Sequence, residues 1–157
     1  MWTVRTFCYN HQMNINSKAS LIAKKETVIN APVHHVWKIQ SDIDNWPKWQ
    51  KEVSYAKLQG KLAKGTKFQW KAMGMNISSK LQEVVENKTI GWTGKSFGMD
   101  AVHFWNFEKH GNMTKVITEE SLSGWFPKII KIFKPDFLEQ SLSKTLETLK
   151  NQVETTK

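Results

Sequence analysis

The chain ends in one long amphipathic helix that follows a run of alternating strands. From Phe137 onward the apolar residues step by three or four positions, which predicts a helix with a single apolar stripe. That stripe consists of Phe137, Leu138, Leu142, Leu146, Leu149 and Val153. Upstream, the segment "TKFQWKAM" alternates with a period of two, which places Phe68 and Trp70 on one face of a strand. A half-apolar sheet and a half-apolar helix must cover each other, so the sequence predicts a helix packed on a sheet.

Turn signals divide the middle of the chain into further strands. The segments "GKLAKG", "ENK" and "HGN" separate short alternating runs of the kind that form antiparallel hairpins. The predicted order is one strand, two short helices, five or six antiparallel strands and the long helix. This is an α+β fold in which a curved antiparallel sheet wraps around the C-terminal helix. The space between sheet and helix is expected to be either a filled core or a pocket.

The stretch "INAPVHHVWKIQSDIDNWPKWQ", residues 29–50, predicts the two short helices. Pro32 suits a first helical turn, and Val33, Val36 and Trp37 then form a buried stripe. The neighbouring His34 and His35 lie about 100° apart on a helix and cannot easily hold one metal ion together. We expect both histidines to face solvent and to have no role in a metal site.

Composition limits the possible partners. The 157 residues fit one domain (residues 17–157) after an N-terminal extension (residues 1–16) that we expect to be poorly ordered. The net charge is +9, but Arg5 is the only arginine among 23 basic residues and the lysines are scattered, which argues against nucleic-acid binding. Cys8 is the only cysteine, and the first residues show no secretory signal, so a reducing, cytoplasmic setting is expected. Neither a metal nor a cofactor is expected.

Several segments together resemble a known superfamily over residues 20 to 155. They are "INAPVHHVWKIQSDIDNWPKW", "GTKFQW", "LQEVVENKTIGWTG", "HFWNFE", "TKVITEESLSG" and "LSKTLETLKNQVE". They are similar to the START/polyketide cyclase/Bet v 1-like superfamily, often called SRPBCC. The resemblance implies a helix-grip fold with an apolar cavity between sheet and C-terminal helix. It does not imply one function, because the same fold hosts lipid carriers, hormone receptors, polyketide cyclases and activators of chaperone ATPases.

The inward strand faces and the start of the last helices supply the candidate ligand-binding residues. With the cavity that the resemblance implies, they are Phe68, Trp70, Leu81, Ile90, Trp92, Trp105, Phe107, Thr118, Leu122, Phe126, Ile130 and Phe137. Aromatic walls suit flat or lipophilic ligands, although the same rings could simply fill the core. Glu83, His103 and Glu120 are expected on the same faces, where a carboxyl group and an imidazole could form an acid/base pair.

The segment "GWFPKIIKIFKP", residues 124–135, predicts a basic amphipathic helix. Lys128, Lys131 and Lys134 recur every third residue among apolar side chains, a pattern that can rest transiently on anionic lipid. The alternative is a lid whose apolar residues cover the cavity, namely Phe126, Ile129, Ile130 and Phe133.

The sequence leaves three functions open. The favoured one is binding or transport of a small lipophilic molecule by a monomer or weak dimer. A cyclase or dehydratase without a metal is the second, with Glu83, His103 or Glu120 as acid and base. The third is a protein-interaction module, such as a chaperone-ATPase activator, with a filled core.

Overall fold

A computed structural model describes residues 13–156. Within this range the chain forms one antiparallel sheet of seven strands in the order β1-β7-β6-β5-β4-β3-β2. The strands are β1 (Leu21–Ile29), β2 (Val53–Leu58), β3 (Lys67–Ala72), β4 (Met75–Val85), β5 (Thr89–Ser96), β6 (Met99–His110) and β7 (Met113–Ser123). Strands β2 to β7 pair with their sequence neighbours, and β1 joins the far edge through β7.

Four α-helices accompany the sheet in the described range. They are α1 (Val33–Ser41), α2 (Trp46–Trp49), which follows a 3₁₀ turn at Ile43–Asn45, α3 (Trp125–Phe133) and α4 (Phe137–Thr155). The buried stripe of α4 runs along the sheet through Leu138, Leu142, Leu146, Leu149 and Val153. The helix-grip fold expected from the sequence is confirmed, with two short helices after the first strand.

Aromatic packing fills one end of the space between sheet and helix. Trp46 on α2 is almost fully buried, and its indole N–H donates a hydrogen bond to the Gln40 carbonyl at 2.9 Å. Its ring meets Phe68 and Trp70 edge-on, with centroids 5.8 and 5.6 Å away. Trp37 on α1 contacts Phe107 in the same way at 5.6 Å. Helices α1 and α2 therefore anchor an aromatic core at this end.

Hydrogen bonds between distant parts of the chain hold the C-terminal end of α4. The Glu154 carboxylate accepts from the Asn30 N–H at 2.8 Å, and Lys150 Nζ donates to the Val28 carbonyl at 2.8 Å. His35 Nε2 donates to the Thr156 carbonyl at 2.9 Å. His34 is exposed as expected, whereas the half-buried His35 joins α1 to the end of α4. The expectation that the histidines point mostly toward solvent holds for His34, whereas His35 also makes a structural hydrogen bond.

The described part of the N-terminal extension lies on the outer face of the sheet. The Met13 N–H donates to the Glu83 carboxylate at 2.8 Å, and the Asn16 N–H donates to Ser121 Oγ at 3.0 Å. Met13 Sδ would lie 2.7 Å from a Cβ placed on Gly91, so a side chain there would displace this segment. Residues 1–12 of the proposed extension lie outside the described residues.

The described residues contain neither a metal-ligand cluster nor a membrane span. No group of three His, Cys, Asp or Glu side chains within residues 13–156 is placed to hold a metal ion. In the same range, no helix has both the length and the apolar composition that crossing a bilayer requires.

Candidate functional site

A cavity of about 370 Å³ lies between the sheet and the N-terminal half of α4, beyond the aromatic core. Its volume is within the usual range for sites that bind small molecules. Six of the twelve residues predicted to bind ligand line it: Trp70, Trp92, Trp105, Leu122, Ile130 and Phe137. The inner strand faces and the two last helices therefore supply a largely apolar wall.

The other six predicted residues do not line the cavity. Phe68, Leu81, Ile90 and Phe107 are buried in the core packed under α1 and α2. Thr118 is fully buried behind the wall, and Phe126 is half-buried on α3. The aromatic side chains of α1 and α2 cover only one end of the inner face of the sheet. The core therefore fills that end, and the cavity lies over the rest of the same face.

The cavity also has polar and flexible lining residues that the strand pattern did not predict. Gln40 lies on α1, and Gln50 and Glu52 lie between α2 and β2. Lys134 directly follows α3, and Lys144 lies on α4. Three methionines at the strand ends complete this part, namely Met73, Met75 and Met99. Methionine side chains adapt to ligands of different shape, so this end of the cavity can tolerate more than one ligand outline.

His103 and Glu120 meet in the cavity wall. They are directly paired residues of β6 and β7, so their side chains lie on the same face of the sheet. His103 Nδ1 lies 3.6 Å from Glu120 Oε1, and both residues line the cavity. The imidazole lies between two indole rings, with centroids 4.9 Å from Trp92 and 5.5 Å from Trp105.

Thr118 fixes the tautomer of His103. The Thr118 hydroxyl donates to the Phe104 carbonyl at 3.3 Å, so its oxygen accepts from His103 Nε2–H at 2.8 Å. The lone pair of Nδ1 is then directed toward Glu120. The 3.6 Å gap between Nδ1 and Oε1 is longer than a hydrogen bond, and a polar ligand atom could bridge the two groups.

Burial sets the protonation of this pair. It lowers the pKa of His103 to about 3 and raises the pKa of Glu120 to about 8. Both shifts have the same cause, since an apolar wall disfavours the charged form of either group. At neutral pH the imidazole is therefore neutral and the carboxyl group carries its proton. The cavity then presents one hydrogen-bond acceptor next to one acid.

Glu83 lies away from this pair. The pairing of β4 with β5 shifts between Leu81 and Glu83, which marks a β-bulge at Gln82. One extra residue in a strand reverses the faces of the residues after it. Val84, not Glu83, therefore packs against the core, and Glu83 contacts Met13 on the outer face. The expectation that Glu83 shares the inner face with His103 and Glu120 is therefore wrong.

Two polar atoms of the lining residues are buried without a hydrogen-bond partner. They are Gln40 Oε1 and Trp105 Nε1, on side chains that are about 1% exposed. A buried donor or acceptor without a partner lowers stability by roughly 1–3 kcal/mol. Both atoms are enclosed by surrounding protein atoms, so they are a local cost of packing in the wall and not contact points for a ligand.

Helix α3 borders the mouth of the cavity with only part of its apolar surface. Ile130 lines the cavity, whereas Ile129 is about half exposed and Phe133 is 83% exposed. Ile129 and Phe133 are four residues apart and therefore share the outer side of the helix. The expectation that both cover the cavity as a lid is wrong. Across the mouth, Lys144 on α4 forms an ion pair with Glu52 at the start of β2.

Comparison with protein families agrees with this architecture. The profile of the family described as polyketide cyclase / dehydrase and lipid transport matches residues 21–154. The chain therefore belongs to this family within the SRPBCC superfamily. A search of curated protein sequences gave no significant match.

Solved structures share the fold at low sequence identity. A hypothetical protein of Helicobacter pylori is 18% identical, with a TM-score of 0.77 over 90% of this chain and 98% of its own. A START superfamily protein of Mycobacterium smegmatis is 13% identical, with a TM-score of 0.73 over 87% and 99%. The Zhui aromatase/cyclase of a Streptomyces species is 10% identical, with a TM-score of 0.74 over 85% and 93%. At these identities the comparisons establish the fold alone.

Proposed function

We propose that this protein binds a small lipophilic molecule that carries a hydrogen-bonding group, and that His103 and Glu120 contact that group. The observation that carries the proposal is a largely apolar cavity of about 370 Å³ with this polar pair in its wall. Apolar surface provides affinity, and a few placed polar groups provide orientation. Family membership supports the same function.

The protonated carboxyl group selects the chemistry of the ligand. Glu120 in its acid form donates a hydrogen bond, while His103 Nδ1 accepts one. A carbonyl, hydroxyl or ether oxygen would suit the donor, and a hydroxyl could satisfy both groups together. A carboxylate or phosphate placed there would meet a protonated acid and a neutral imidazole, and neither of these groups supplies a positive charge. We therefore infer an uncharged polar group on an apolar body. Such a molecule dissolves poorly in water, so we expect it to be exchanged with a lipid surface.

Native mass spectrometry of freshly purified protein tests the binding proposal. We expect a bound lipophilic mass that is lost on denaturation. Glu120→Leu should weaken its affinity at least about tenfold, because a hydrogen-bonding group of the ligand then lacks its partner. Glu120→Gln keeps a neutral donor and should bind within about threefold of wild type. Glu83→Gln on the outer face is the matched control. Equal affinity in wild type and Glu120→Leu would contradict the role of this pair.

A cyclase or dehydratase activity is the second candidate, favoured by the same pair. The arrangement places a carboxylic acid next to a neutral imidazole, the two groups needed to polarise a carbonyl and accept a proton from the neighbouring carbon. Glu120→Gln separates the two proposals, since it retains hydrogen bonding but has no proton to transfer. If the protein is an enzyme, turnover of polyketide-like or enone substrates should disappear in this variant while binding survives.

A further inference from the structure

Five large apolar side chains form an exposed surface next to the mouth of the cavity, here called the apolar tip. It consists of Phe97, Trp125, Ile129, Ile132 and Phe133. Phe97, Ile132 and Phe133 are 77%, 75% and 83% exposed, and the other two are about half exposed. Single exposed apolar residues are common on protein surfaces, but a group of five from two adjoining segments indicates an interaction surface.

The tip is preformed. Phe97 belongs to the turn between β5 and β6, and its ring packs edge-on against Trp125 of α3 with centroids 5.2 Å apart. A Cβ placed on Gly98 would lie 2.4 Å from the Trp125 ring, so the indole lies directly on this turn. The Phe126 N–H also donates to the Gly98 carbonyl at 3.1 Å. Turn and helix therefore present one continuous surface.

Lysines border the part of the tip that α3 contributes. At about 100° per residue, Lys128 and Lys131 lie along one side of the exposed apolar strip of α3. The segment from Ser121 to Pro135 contains no Asp or Glu. Among residues 13–156, no carboxylate forms an ion pair with Lys128 or Lys131. The surface thus combines an apolar strip with a positive border.

We propose that the apolar tip docks on the surface of an anionic lipid bilayer. An interfacial helix buries its apolar side at the boundary of the acyl chains and places its lysines among anionic headgroups, which matches the arrangement on α3. A second copy of the chain fits less well, since two tips face to face would bring their lysines together on molecules of net charge +9.

Docking would bring the cavity mouth to the membrane. Ile130 on the other side of α3 lines the cavity, as do Lys134 and Phe137 immediately after the helix. A bilayer that contacts Ile132 and Phe133 therefore lies one helix diameter from the cavity. Transfer of a ligand between the bilayer and the cavity is the one step that rests on the proposed function. The docking itself does not depend on it.

Vesicle co-sedimentation tests the proposal with two double variants. Ile132→Ser with Phe133→Ser removes the apolar contact, and Lys128→Glu with Lys131→Glu removes the positive border. The controls are Tyr55→Ser, an exposed aromatic on β2, and Lys61→Glu with Lys64→Glu, which makes the same change in net charge. The loop that contains Lys61 and Lys64 joins β2 to β3 at the end of the sheet opposite the Met73–Gly74 turn.

We expect wild-type protein to partition onto phosphatidylcholine vesicles that contain about one third phosphatidylserine, and only weakly onto phosphatidylcholine alone. Each tip variant should partition at least about tenfold less, and each control within about twofold of wild type. Brominated lipid should quench the fluorescence of wild type more than that of Trp125→Phe. Equal partitioning of wild type and both tip variants would overturn the proposal.

Two further measurements separate the alternatives. Binding of the uncharged fluorescent lipophile N-phenyl-1-naphthylamine in the absence of vesicles should be unchanged in the tip variants, because their substitutions leave the cavity lining intact. Analytical ultracentrifugation without lipid should give one species for wild type and variants alike. A wild-type dimer that the Phe133 variant abolishes would identify a second copy as the occupant and overturn docking on lipid.

Discussion

Glu120 is a carboxyl group that the fold keeps protonated at neutral pH. Its cross-strand neighbours are His103 on β6 and Ala23 on β1, and burial raises its pKa to about 8. His103 cannot compensate, because its own pKa is lowered to about 3 by the same burial and it stays neutral. The two shifts affect stability in opposite directions as pH changes, so they can be separated by titration.

Unfolding measured against pH should reveal the raised pKa of Glu120. Between pH 4.5 and 8 the folded state holds a proton that the unfolded chain releases, so this group makes stability fall as pH rises. His103 has the reverse effect between pH 3 and 6.5, which leaves the decrease visible above 6.5. From pH 5 to 8, wild type should lose on the order of 3 kcal/mol relative to Glu120→Gln in urea titrations. Parallel curves for the two proteins would mean that the carboxyl group is already ionised.

Trp37 and His34 are three residues apart on α1 but differ in environment. Trp37→Ala should lower the free energy of unfolding by roughly 3–5 kcal/mol, because it removes a buried ring that packs against Phe107. His34→Gln should change it by less than about 0.5 kcal/mol, since that side chain is exposed. His35→Gln should fall in between, at about 1 kcal/mol, through loss of its bond to Thr156. Denaturant titrations of the three variants measure this order, and a neutral Trp37→Ala would contradict it.

At the scale of secondary-structure elements, alternation and helical spacing predicted much of the architecture. They predicted the stripe of α4 and the inner faces of β6 and β7, and so placed His103 and Glu120 together. They could not predict the bulge at Gln82, since its position depends on pairing with β5 and not on the residues of β4. For the same reason Glu83 was expected on the wrong face. The prediction that Ile129 and Phe133 cover the cavity was also wrong. The apolar residues of α3 occupy more of the helix surface than the rest of the protein covers.

The junction before α3 offers a prediction at the same scale. Gly124 has φ 111° and ψ −178°, a conformation open almost only to glycine, and an added Cβ would lie 2.3 Å from the Gly98 carbonyl oxygen. Gly124→Ala should therefore destabilise the protein by about 3 kcal/mol and disturb the contact of Trp125 with Gly98. Gly111 has φ 60° and open space around it, so Gly111→Ala should cost only about 1 kcal/mol. Thermal melts followed by tryptophan fluorescence compare the two, and equal losses would contradict a strained junction.

For the molecule as a whole, the cavity is closed by parts of the chain that are far apart in sequence. Lys144 on α4 and Glu52 before β2 both line it and pair across its mouth. No local pattern predicts such a contact, which arises only when the edge of the sheet curves around the helix. This is why strand faces could be predicted from sequence while the polar rim of the cavity could not.

Lys144→Met should therefore speed ligand exchange more than it lowers affinity. The pair is partly exposed, so its loss should raise the dissociation rate by only about two- to fivefold. Lys57→Met is the matched control, because Lys57 forms an ion pair with Asp44 that does not border the cavity. Stopped-flow displacement of a fluorescent lipophile measures the rates. Identical rates in both variants would show that the mouth opens elsewhere.

The pairing of β1 with β7 has a consequence for how the protein is made. Residues 21–29 find their partners only among residues 114–122, and the stripe that covers the inner face begins only at residue 138. On the ribosome, the part of the inner face that α4 covers must therefore remain exposed until almost the entire polypeptide has been translated. Contacts this distant in sequence also slow folding once synthesis ends. The nascent chain is thus expected to depend on chaperones, and a chain that stops before α4 is expected to aggregate.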